Sequence, residues 1–217
     1  MADCCCFCFS DEPILEEDGK KGSIKGDHDF KVKLMDAPCD SCCPFLGGCL
    51  CPCASAMLLR REALNTVHPD SGLEHYQCFQ GMKHCGCCCE CCVTMSSTPC
   101  LRCPCWALES CLCPALSISA TRRMLQHEFN IKSDPCDNRI LRFNNCLQCC
   151  SCVCDCLACV TRVNAIESVA HIFDIISCIV FTCTMGCMVA QVNDECEHRQ
   201  ATRGVKMNAA DITGTGH

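Results

Sequence analysis

Residues 49–62 read CLCPCASAMLLRRE, and residues 111–124 read CLCPALSISATRRM. Aligned without a gap, the two stretches share Cys-Leu-Cys-Pro, a serine six residues after the first cysteine, and a pair of arginines. Three further cysteines recur with the same spacing after a shift of two residues: Cys85, Cys88 and Cys92, then Cys149, Cys152 and Cys156. The pattern predicts two related units of roughly sixty residues, and such repetition indicates a structural device rather than one active site.

Each unit is predicted to contain a Cys turn, a short amphipathic helix and a Cys cluster. The apolar spacing predicts one helix over residues 54–64 and another over residues 115–129, and each follows a proline that suits a first helical turn. Asn130 is expected to end the second helix. In the first Cys stretch, Pro44 and the Gly47-Gly48 pair are expected to prevent a helix.

The chain divides by composition into tails and a body. Residues 1–36 carry nine acids and five lysines without an apolar period, so we expect a disordered acidic tail with a Cys-rich tip. The rest is predicted to comprise a Cys-rich helical body at 37–196, with units at about 39–100 and 101–160 and an apolar helix at 164–192, and then a polar tail at 197–217. Residues 150–156 fit a strand or one face of a helix equally well.

The apolar helix raises the question of a membrane. Residues 175–192 contain 18 uncharged residues, which is the short end of the range for a membrane span. The preceding half carries a polar stripe spaced for one helical face: Asn164, Glu167, His171 and Asp174. The stripe is interpreted as a solvated or helix-facing surface, with a site for a hard ion as the alternative.

Charge and motif content exclude several classes of function. The net charge is −7, and residues 37–163 carry ten acids and ten bases, so no basic surplus favours nucleic acid. One Trp and one Tyr leave little for stacking on bases. Neither a phosphate-binding glycine loop nor a Ser-His-Asp or Cys-His-Asn set stands out, so we expect no enzyme.

The chain contains 34 cysteines. No export signal precedes them, so the thiols are expected to be reduced in cytosol, where they can fill a core, bind metal, carry acyl chains or sense oxidants. Several lie in Cys-x-x-Cys pairs, whose spacing lets two sulfurs reach one tetrahedral ion. Zinc is the expected cofactor, with an iron–sulfur cluster as the alternative, and a purely packed role for the thiols is the competing interpretation. The candidate ligands are Cys39, Cys42, Cys85, Cys88, Cys89, Cys92, Cys100, Cys103, Cys146, Cys149, Cys152, Cys156 and Cys159, with His84 able to complete a site beside Cys85.

The N-terminal tip is a candidate for lipidation. Its four cysteines, Cys4, Cys5, Cys6 and Cys8, are predicted palmitoylation sites on a mobile tail, with an unmodified tail as the alternative. Residue 2 is alanine, which excludes myristoylation.

Part of the body resembles a known family. Cys42-Cys43 followed by Cys51-Pro52-Cys53 and a helix is similar to the first half of the placenta-specific-8 family, which includes plant cadmium-resistance proteins. The similarity continues through Arg122-Arg123-Met124-Leu125, Phe129-Asn130-Ile131, Asp137 and Cys146, and ends with Cys183, Cys187, Gln191 and Glu195 spaced every four residues. It covers about half of residues 39–195, and the spacing from Cys43 to Cys51 and the extra thiol clusters depart from the family pattern. The resemblance implies a membrane-associated protein of the cytosolic face, linked to metal handling, transport or growth control, without established catalytic residues.

The sequence thus predicts a mainly α, Cys-rich, metal-stapled fold with two related units and a C-terminal apolar helix. We expect a non-enzymatic protein at the cytoplasmic face of a membrane, with the plasma membrane as one candidate, that binds metal through thiolates. Its expected partners are the membrane and further protein, as a homo-oligomer or a complex, and no nucleic acid. The alternative is a soluble cytosolic zinc or iron–sulfur protein acting as a structural subunit or interaction module.

Overall fold

The computed structural model describes residues 26–81, 99–132 and 134–214. These residues form seven α-helices and two short 3₁₀ helices, and they contain no β-strand. The α-helices are α1 (Ala37–Asp40), α2 (Cys42–Leu50), α3 (Pro52–Val67), α4 (Pro99–Leu112), α5 (Pro114–Glu128), α6 (Pro135–Thr161) and α7 (Asn164–Gly214), and the 3₁₀ helices are Gly72–His75 and Cys78–Gly81. The predicted mainly helical, Cys-rich fold with a C-terminal apolar helix is confirmed.

Helix α2 occupies a stretch that was expected to be non-helical, so that prediction is wrong. Pro44 is the third residue of α2, within the first turn, where backbone N–H groups have no partner inside the helix. Gly48 serves packing instead of a turn, because a Cβ added there would lie 2.9 Å from the Cα of Gly186 in α7. The tertiary contact therefore explains a glycine that the local pattern assigned to a helix break.

Helices α3 and α5 begin at Pro52 and Pro114, close to where the sequence predicts. Each follows a cysteine with nearly the same backbone angles, φ −133° and ψ 64° at Cys51 and φ −136° and ψ 60° at Cys113. After α5, Asn130 has a φ of 52°, the left-handed conformation expected of a residue that ends a helix. The four helices around these cysteines thus form two similar helix–Cys–Pro–helix junctions.

Residues 26–36 are ordered, so the prediction of a disordered tail is wrong for this part of it. Their alternate apolar side chains are buried: Phe30, Val32 and Leu34. The backbone N–H of Lys31 donates to Glu195 Oε2 at 2.9 Å, and that of Leu34 donates to Asp137 Oδ1 at 3.2 Å. This N-terminal segment has a bend at residues 31–32 and a turn at residues 34–36. The alternate burial of its apolar side chains has a period of two, which is the signal that the tail interpretation missed.

Helix α7 is the central column of the body. The main core consists of side chains from α3, α5 and the middle of α7, together with Leu34 of the N-terminal segment (residues 26–36). Its members are Leu34, Ala56, Leu59, Ala63, Ile118, Leu125, Met185, Met188, Val189, Val192 and Cys196. Burial of this apolar surface is the main stabilising contribution to the body. The predicted apolar helix is present, and it continues beyond residue 192 through most of the predicted polar tail, to Gly214.

The directions of α2 and α3 relative to α7 show where the junction between α2 and α3 lies along α7. Helix α2 runs antiparallel to α7, because Ser41 donates a hydrogen bond to Asp194 and the last turn of α2 reaches the carbonyl oxygen of Thr182. Helix α3 runs the opposite way, and Gln200 Nε2 donates to Thr66 in its last turn at 2.9 Å. The junction between α2 and α3 therefore lies beside Thr182.

Helix α6 and the first half of α7 form a helical hairpin. Arg162, with a φ of 52°, ends α6, and α7 begins two residues later at Asn164. No side chain between residues 152 and 169 is buried, so this part of the hairpin projects from the body. Residues 150–156 are helical, which decides between the two alternatives that the sequence left open.

Candidate functional site

Hydrogen bonds between polar side chains of α6 and polar groups of α7 join the two helices of the hairpin, and we call this row of contacts the polar seam. Gln148 Nε2 donates to the carbonyl oxygen of Ser177 at 2.9 Å, and the hydroxyl of Ser151 donates to Asp174 Oδ1. Ser151 and Ser177 are buried between the two helices. The seam therefore satisfies polar groups inside the hairpin and fixes the register of one helix against the other.

Much of the outer surface of the hairpin is apolar. Its exposed large side chains include Val153, Leu157, Val160, Val169, Ile172, Ile175, Ile176 and Ile179. Two helices are long and apolar enough to cross a membrane by length and composition, α6 and residues 164–204 of α7, and only 11% and 33% of their most apolar windows are buried. A core helix of a soluble protein would be mostly buried, whereas large exposed apolar surfaces are typical of sites that contact protein or lipid.

Charge is almost absent from the end of the molecule that carries the hairpin. Residues 41–59 contain no charged side chain, and residues 103–121 contain only Glu109, which is buried. Between residues 145 and 183, the hairpin carries Asp155, Glu167 and Asp174, with Arg162 at the tip, whereas the first turns of α6 carry Asp137, Arg139 and Arg142. Many of the other described charges lie at the surface of the opposite end of the body, for example Lys31, Lys33, Asp36, Asp70, Glu74, Glu128, Lys132 and Glu197. The molecule is therefore amphipathic along the axis of α7.

Two thiol-bearing elbows lie at the base of the hairpin. We define elbow 1 as residues 49–52 and elbow 2 as residues 111–114, the two Cys-Leu-Cys-Pro stretches. The Sγ of Cys53 lies 3.7 Å from the carbonyl oxygen of Cys111, so the elbows are adjacent. Cys51 and Cys111 are exposed. Equivalent leucines in and before the two elbows are exposed as well: Leu46 and Leu108, then Leu50 and Leu112.

Cys49 of elbow 1 also belongs to a group of three thiols where α2 crosses α7. The Sγ of Cys49 lies 3.6 Å from the carbonyl oxygen of Thr182 and would lie 2.6 Å from a Cβ on Gly186. Burial raises the pKa of the Cys49 thiol, and the nearby Cys183 raises it further. Cys187, one turn after Cys183, belongs to the same group. The spacing of Cys-x-x-Cys pairs could not reveal this group, because its members are far apart in sequence.

The predicted metal ligands are spread over several helices. Cys39 and Cys42 are exposed on α1 and at the start of α2, and Cys100 and Cys103 are exposed near the start of α4. The remaining described candidates lie on α6, where Cys146 is half-buried and the others are exposed: Cys149, Cys152, Cys156 and Cys159. In residues 26–81, 99–132 and 134–214, no three His, Cys, Asp or Glu side chains are grouped so that they could hold a metal ion.

Other predicted site residues lie outside the described residues. These are the metal candidates Cys85, Cys88, Cys89 and Cys92, His84 beside them, and the lipidation candidates Cys4, Cys5, Cys6 and Cys8. The zinc and palmitoylation predictions for these residues stay predictions.

Two buried ion pairs involve the arginines that the two related stretches share. Arg60 is fully buried, and its Nη2 donates to Glu109 Oε1 at 2.6 Å. The hydroxyl of Tyr76 donates to the other oxygen of Glu109 at 2.6 Å, as does the N–H of Phe79 at 2.9 Å. Only Arg61 of the first arginine pair is exposed. Arg60 therefore belongs to the structural core of the body.

The equivalent arginine of the second stretch, Arg122, is buried in the same way. Its Nη2 donates to Asp137 Oδ2 at 2.7 Å, and its Nε donates to Gln191 Oε1 at 2.8 Å. Gln191 Nε2 donates to Asp137 Oδ2 at 2.9 Å and to the carbonyl oxygen of Val32 at 3.1 Å. These hydrogen bonds link α5, α6, α7 and the N-terminal segment. Because the buried polar groups of these residues are partners of one another, we assign the residues a structural role.

Comparison with known proteins adds no relative, since no protein-family model, curated protein or solved structure matches the chain.

Proposed function

We propose that the chain is a non-enzymatic membrane protein that inserts the α6–α7 hairpin into a bilayer and works by binding or assembly. One observation carries the proposal: an exposed apolar hairpin projects from the end of the body that has almost no surface charge. A lipid phase covers such a surface without requiring a partner of matched shape.

The dimensions of the hairpin agree with insertion. At about 1.5 Å per residue, residues 164–183 of α7 extend ~30 Å, which is the thickness of the hydrocarbon core of a bilayer. Every backbone group inside that core needs an internal partner, and helices provide one. The seam formed by Ser151 and Asp174 also keeps a carboxylate hydrogen-bonded between the helices instead of facing lipid.

We place the body at the cytoplasmic face. Thiols as numerous as these 34 cysteines persist in reduced form in cytosol. The resemblance to the placenta-specific-8 family supports the same side, because that resemblance implies a membrane-associated protein of the cytosolic face.

Membrane fractionation tests the proposal. The full-length protein is expected to remain in the membrane pellet after alkaline carbonate extraction. Replacing Ile172, Ile175 and Ile179 with lysine puts three charges on the outer face of the hairpin, each costing about 2.5–3.5 kcal/mol at the bilayer centre, and should release the protein. The matched control, Met35→Lys, changes an exposed apolar side chain on the body and should stay in the pellet. A wild-type protein found wholly in the soluble fraction contradicts the proposal.

A second candidate function is metal binding through thiolates. It is supported by Cys149, Cys152, Cys156 and Cys159, which are spaced three, four and three residues apart and lie exposed on α6. A face of this kind can supply ligands when a second thiol-rich surface completes the coordination, as in a homo-oligomer or a complex. This candidate includes the soluble alternative, in which the hairpin packs against partner protein and the thiols hold zinc or an iron–sulfur cluster.

Metal analysis of the reduced protein tests the second candidate. Zinc bound in fixed proportion and lost in the double variant Cys152→Ser, Cys156→Ser supports it, whereas absorbance near 400 nm indicates an iron–sulfur cluster instead. The matched control, Cys43→Ser with Cys136→Ser, removes two exposed thiols that are not among the candidate metal ligands. Reduced protein that contains neither zinc nor iron contradicts this candidate.

A further inference from the structure

The two elbows lie at the end of the body from which the hairpin projects. Elbow 1 lies beside Thr182, where α7 leaves the body, because α2 runs antiparallel to α7 and ends there. Elbow 2 lies against elbow 1 through the contact of Cys53 with Cys111. An inserted hairpin therefore places both elbows at the level of the membrane surface.

The leucines of the elbows are unusually exposed for their size. Leu50 and Leu112 are 77% and 71% exposed, and Leu46 and Leu108, one turn earlier in α2 and α4, are 50% and 62% exposed. Leu46 and Leu50 are four residues apart in α2, and Leu108 and Leu112 are four residues apart in α4, so the two leucines of each helix lie on one face of it. We call these four exposed side chains, which belong to the elbows and to the helical turns before them, the apolar collar.

Two exposed thiols lie within this collar. Cys51 separates α2 from α3, next to Leu50, and Cys111 precedes Leu112 in the last turn of α4. The nearest acidic side chain in sequence, Glu109, is buried in its bonds to Arg60 and Tyr76 and leaves the collar uncharged. An alkyl chain attached to either sulfur would start at the membrane surface, among leucines.

We propose that Cys51 and Cys111 are sites of S-acylation by long-chain fatty acids, an inference that rests on the proposed membrane function. In the reaction, the cysteine thiol loses its proton and the sulfur attacks the carbonyl carbon of a long-chain acyl-coenzyme A. A new sulfur–carbon thioester bond forms, the bond from that carbon to coenzyme A breaks, and coenzyme A leaves and takes up the proton. No oxidant or reductant is consumed. The attached chain adds to the anchoring that the hairpin provides, and its thioester is reversible.

Site-resolved acyl exchange on the full-length protein tests the proposal. The membrane fraction of eukaryotic cells expressing the chain is treated with N-ethylmaleimide and then with hydroxylamine, and the released thiols are labelled and located by mass spectrometry. Label is expected at Cys51 and Cys111 and is expected to be lost in the variant Cys51→Ser, Cys111→Ser. The internal controls, Cys39 and Cys136, are exposed thiols at the charged end of the body and should carry none. Cys51 directly precedes α3, where serine suits the start of a helix, and Cys111 is exposed, so the variant is expected to fold.

The outcomes separate this proposal from the membrane proposal. Unlabelled Cys51 and Cys111 in a protein that resists carbonate extraction overturn acylation and leave the hairpin proposal standing. Label at Cys39 and Cys136 equal to that at Cys51 and Cys111 also overturns the acylation proposal, because the position of a thiol in the collar would then make no difference to its acylation. Label at the elbow thiols of a protein that carbonate releases supports acylation and contradicts the inserted hairpin.

Discussion

Gly48 and Gly186 meet where α2 crosses α7, at a separation that leaves no room for a methyl group on either residue. A Cβ on Gly48 would lie 2.9 Å from the Cα of Gly186, and a Cβ on Gly186 would lie 2.6 Å from the Sγ of Cys49 and 2.8 Å from the backbone oxygen of Phe45. Because backbone atoms cannot move aside as a flexible side chain does, the crossing depends on both glycines.

Replacement of Gly186 by alanine is therefore expected to destabilise the body by about 1–3 kcal/mol, the usual cost of overpacking. The measurement is the free energy of unfolding in denaturant, in detergent solution. Gly204→Ala is the matched control, since that glycine is also in α7 and a Cβ there meets nothing within 4 Å. The control should raise stability by about 0.5–1 kcal/mol, because alanine favours a helix over glycine. Equal losses in the two variants would argue against the crossing as the cause.

The buried pair Arg122–Asp137 should respond strongly to removal of one partner. Asp137→Leu leaves the guanidinium of Arg122 buried without its carboxylate, at a cost of about 3–5 kcal/mol in the free energy of unfolding. The exposed pair Lys132–Asp29, at 3.1 Å with side chains 50% and 65% exposed, provides the control, and Lys132→Ala should cost less than about 1 kcal/mol. A loss in Asp137→Leu no larger than in this control contradicts the structural role.

Tyr76 should resist ionisation in the folded protein. Burial raises the pKa of its phenol above the ordinary value of 10.0, and the neighbouring Glu109 carboxylate raises it further. The folded state therefore favours the neutral phenol, so its contribution to stability is complete below pH 10 and is lost as the pH rises towards the folded pKa. The chain has one tyrosine, so absorbance near 295 nm reports this group alone.

In that titration, the folded protein should show no phenolate signal at pH 10, and protein unfolded in denaturant should show half of it. Glu109→Gln removes the neighbouring charge and should bring the folded midpoint closer to the ordinary value. A folded midpoint equal to the unfolded one would show that Tyr76 is not buried beside Glu109.

The thiol of Cys196 should be alkylated more slowly than the exposed thiols. Burial raises its pKa to about 12, and alkylation proceeds through the thiolate, so at pH 8 it should react roughly a thousandfold more slowly than an ordinary thiol. Cys136 is exposed and serves as the reference in the same sample. Mass spectrometry of iodoacetamide-treated folded protein gives both rates, and similar rates before unfolding contradict the burial of Cys196.

Local signals were sufficient for part of the fold. Pro52 and Pro114 mark the starts of α3 and α5, and Asn130 marks the end of α5, because these features depend on backbone geometry within a few residues. The apolar content of α7 predicted a long helix. The helical form of α2 was missed because Gly48 is explained only by Gly186, which lies far away in sequence.

The candidate sites were less predictable for the same reason. The sequence pattern did not reveal that Arg60 and Arg122 are buried, because their partners Glu109 and Asp137 lie on other helices. The exposure of Leu50 could not be read from sequence, because an apolar residue beside cysteines is also typical of a core. Helical spacing did align thiols along α6, but the elbow and α2–α7 thiols come together only through the packing of the body.

Helix α7 is unbroken from Asn164 to Gly214, so the same rod serves as one arm of the hairpin and as the axis around which the body is built. No hinge separates the two functions. If the hairpin is inserted as proposed, the tilt that fits it to a thinner bilayer must also rotate the body relative to the membrane plane. The protein would then convert the thickness of the surrounding lipid into the orientation of its charged end, and with it into the surfaces that a cytosolic partner can reach.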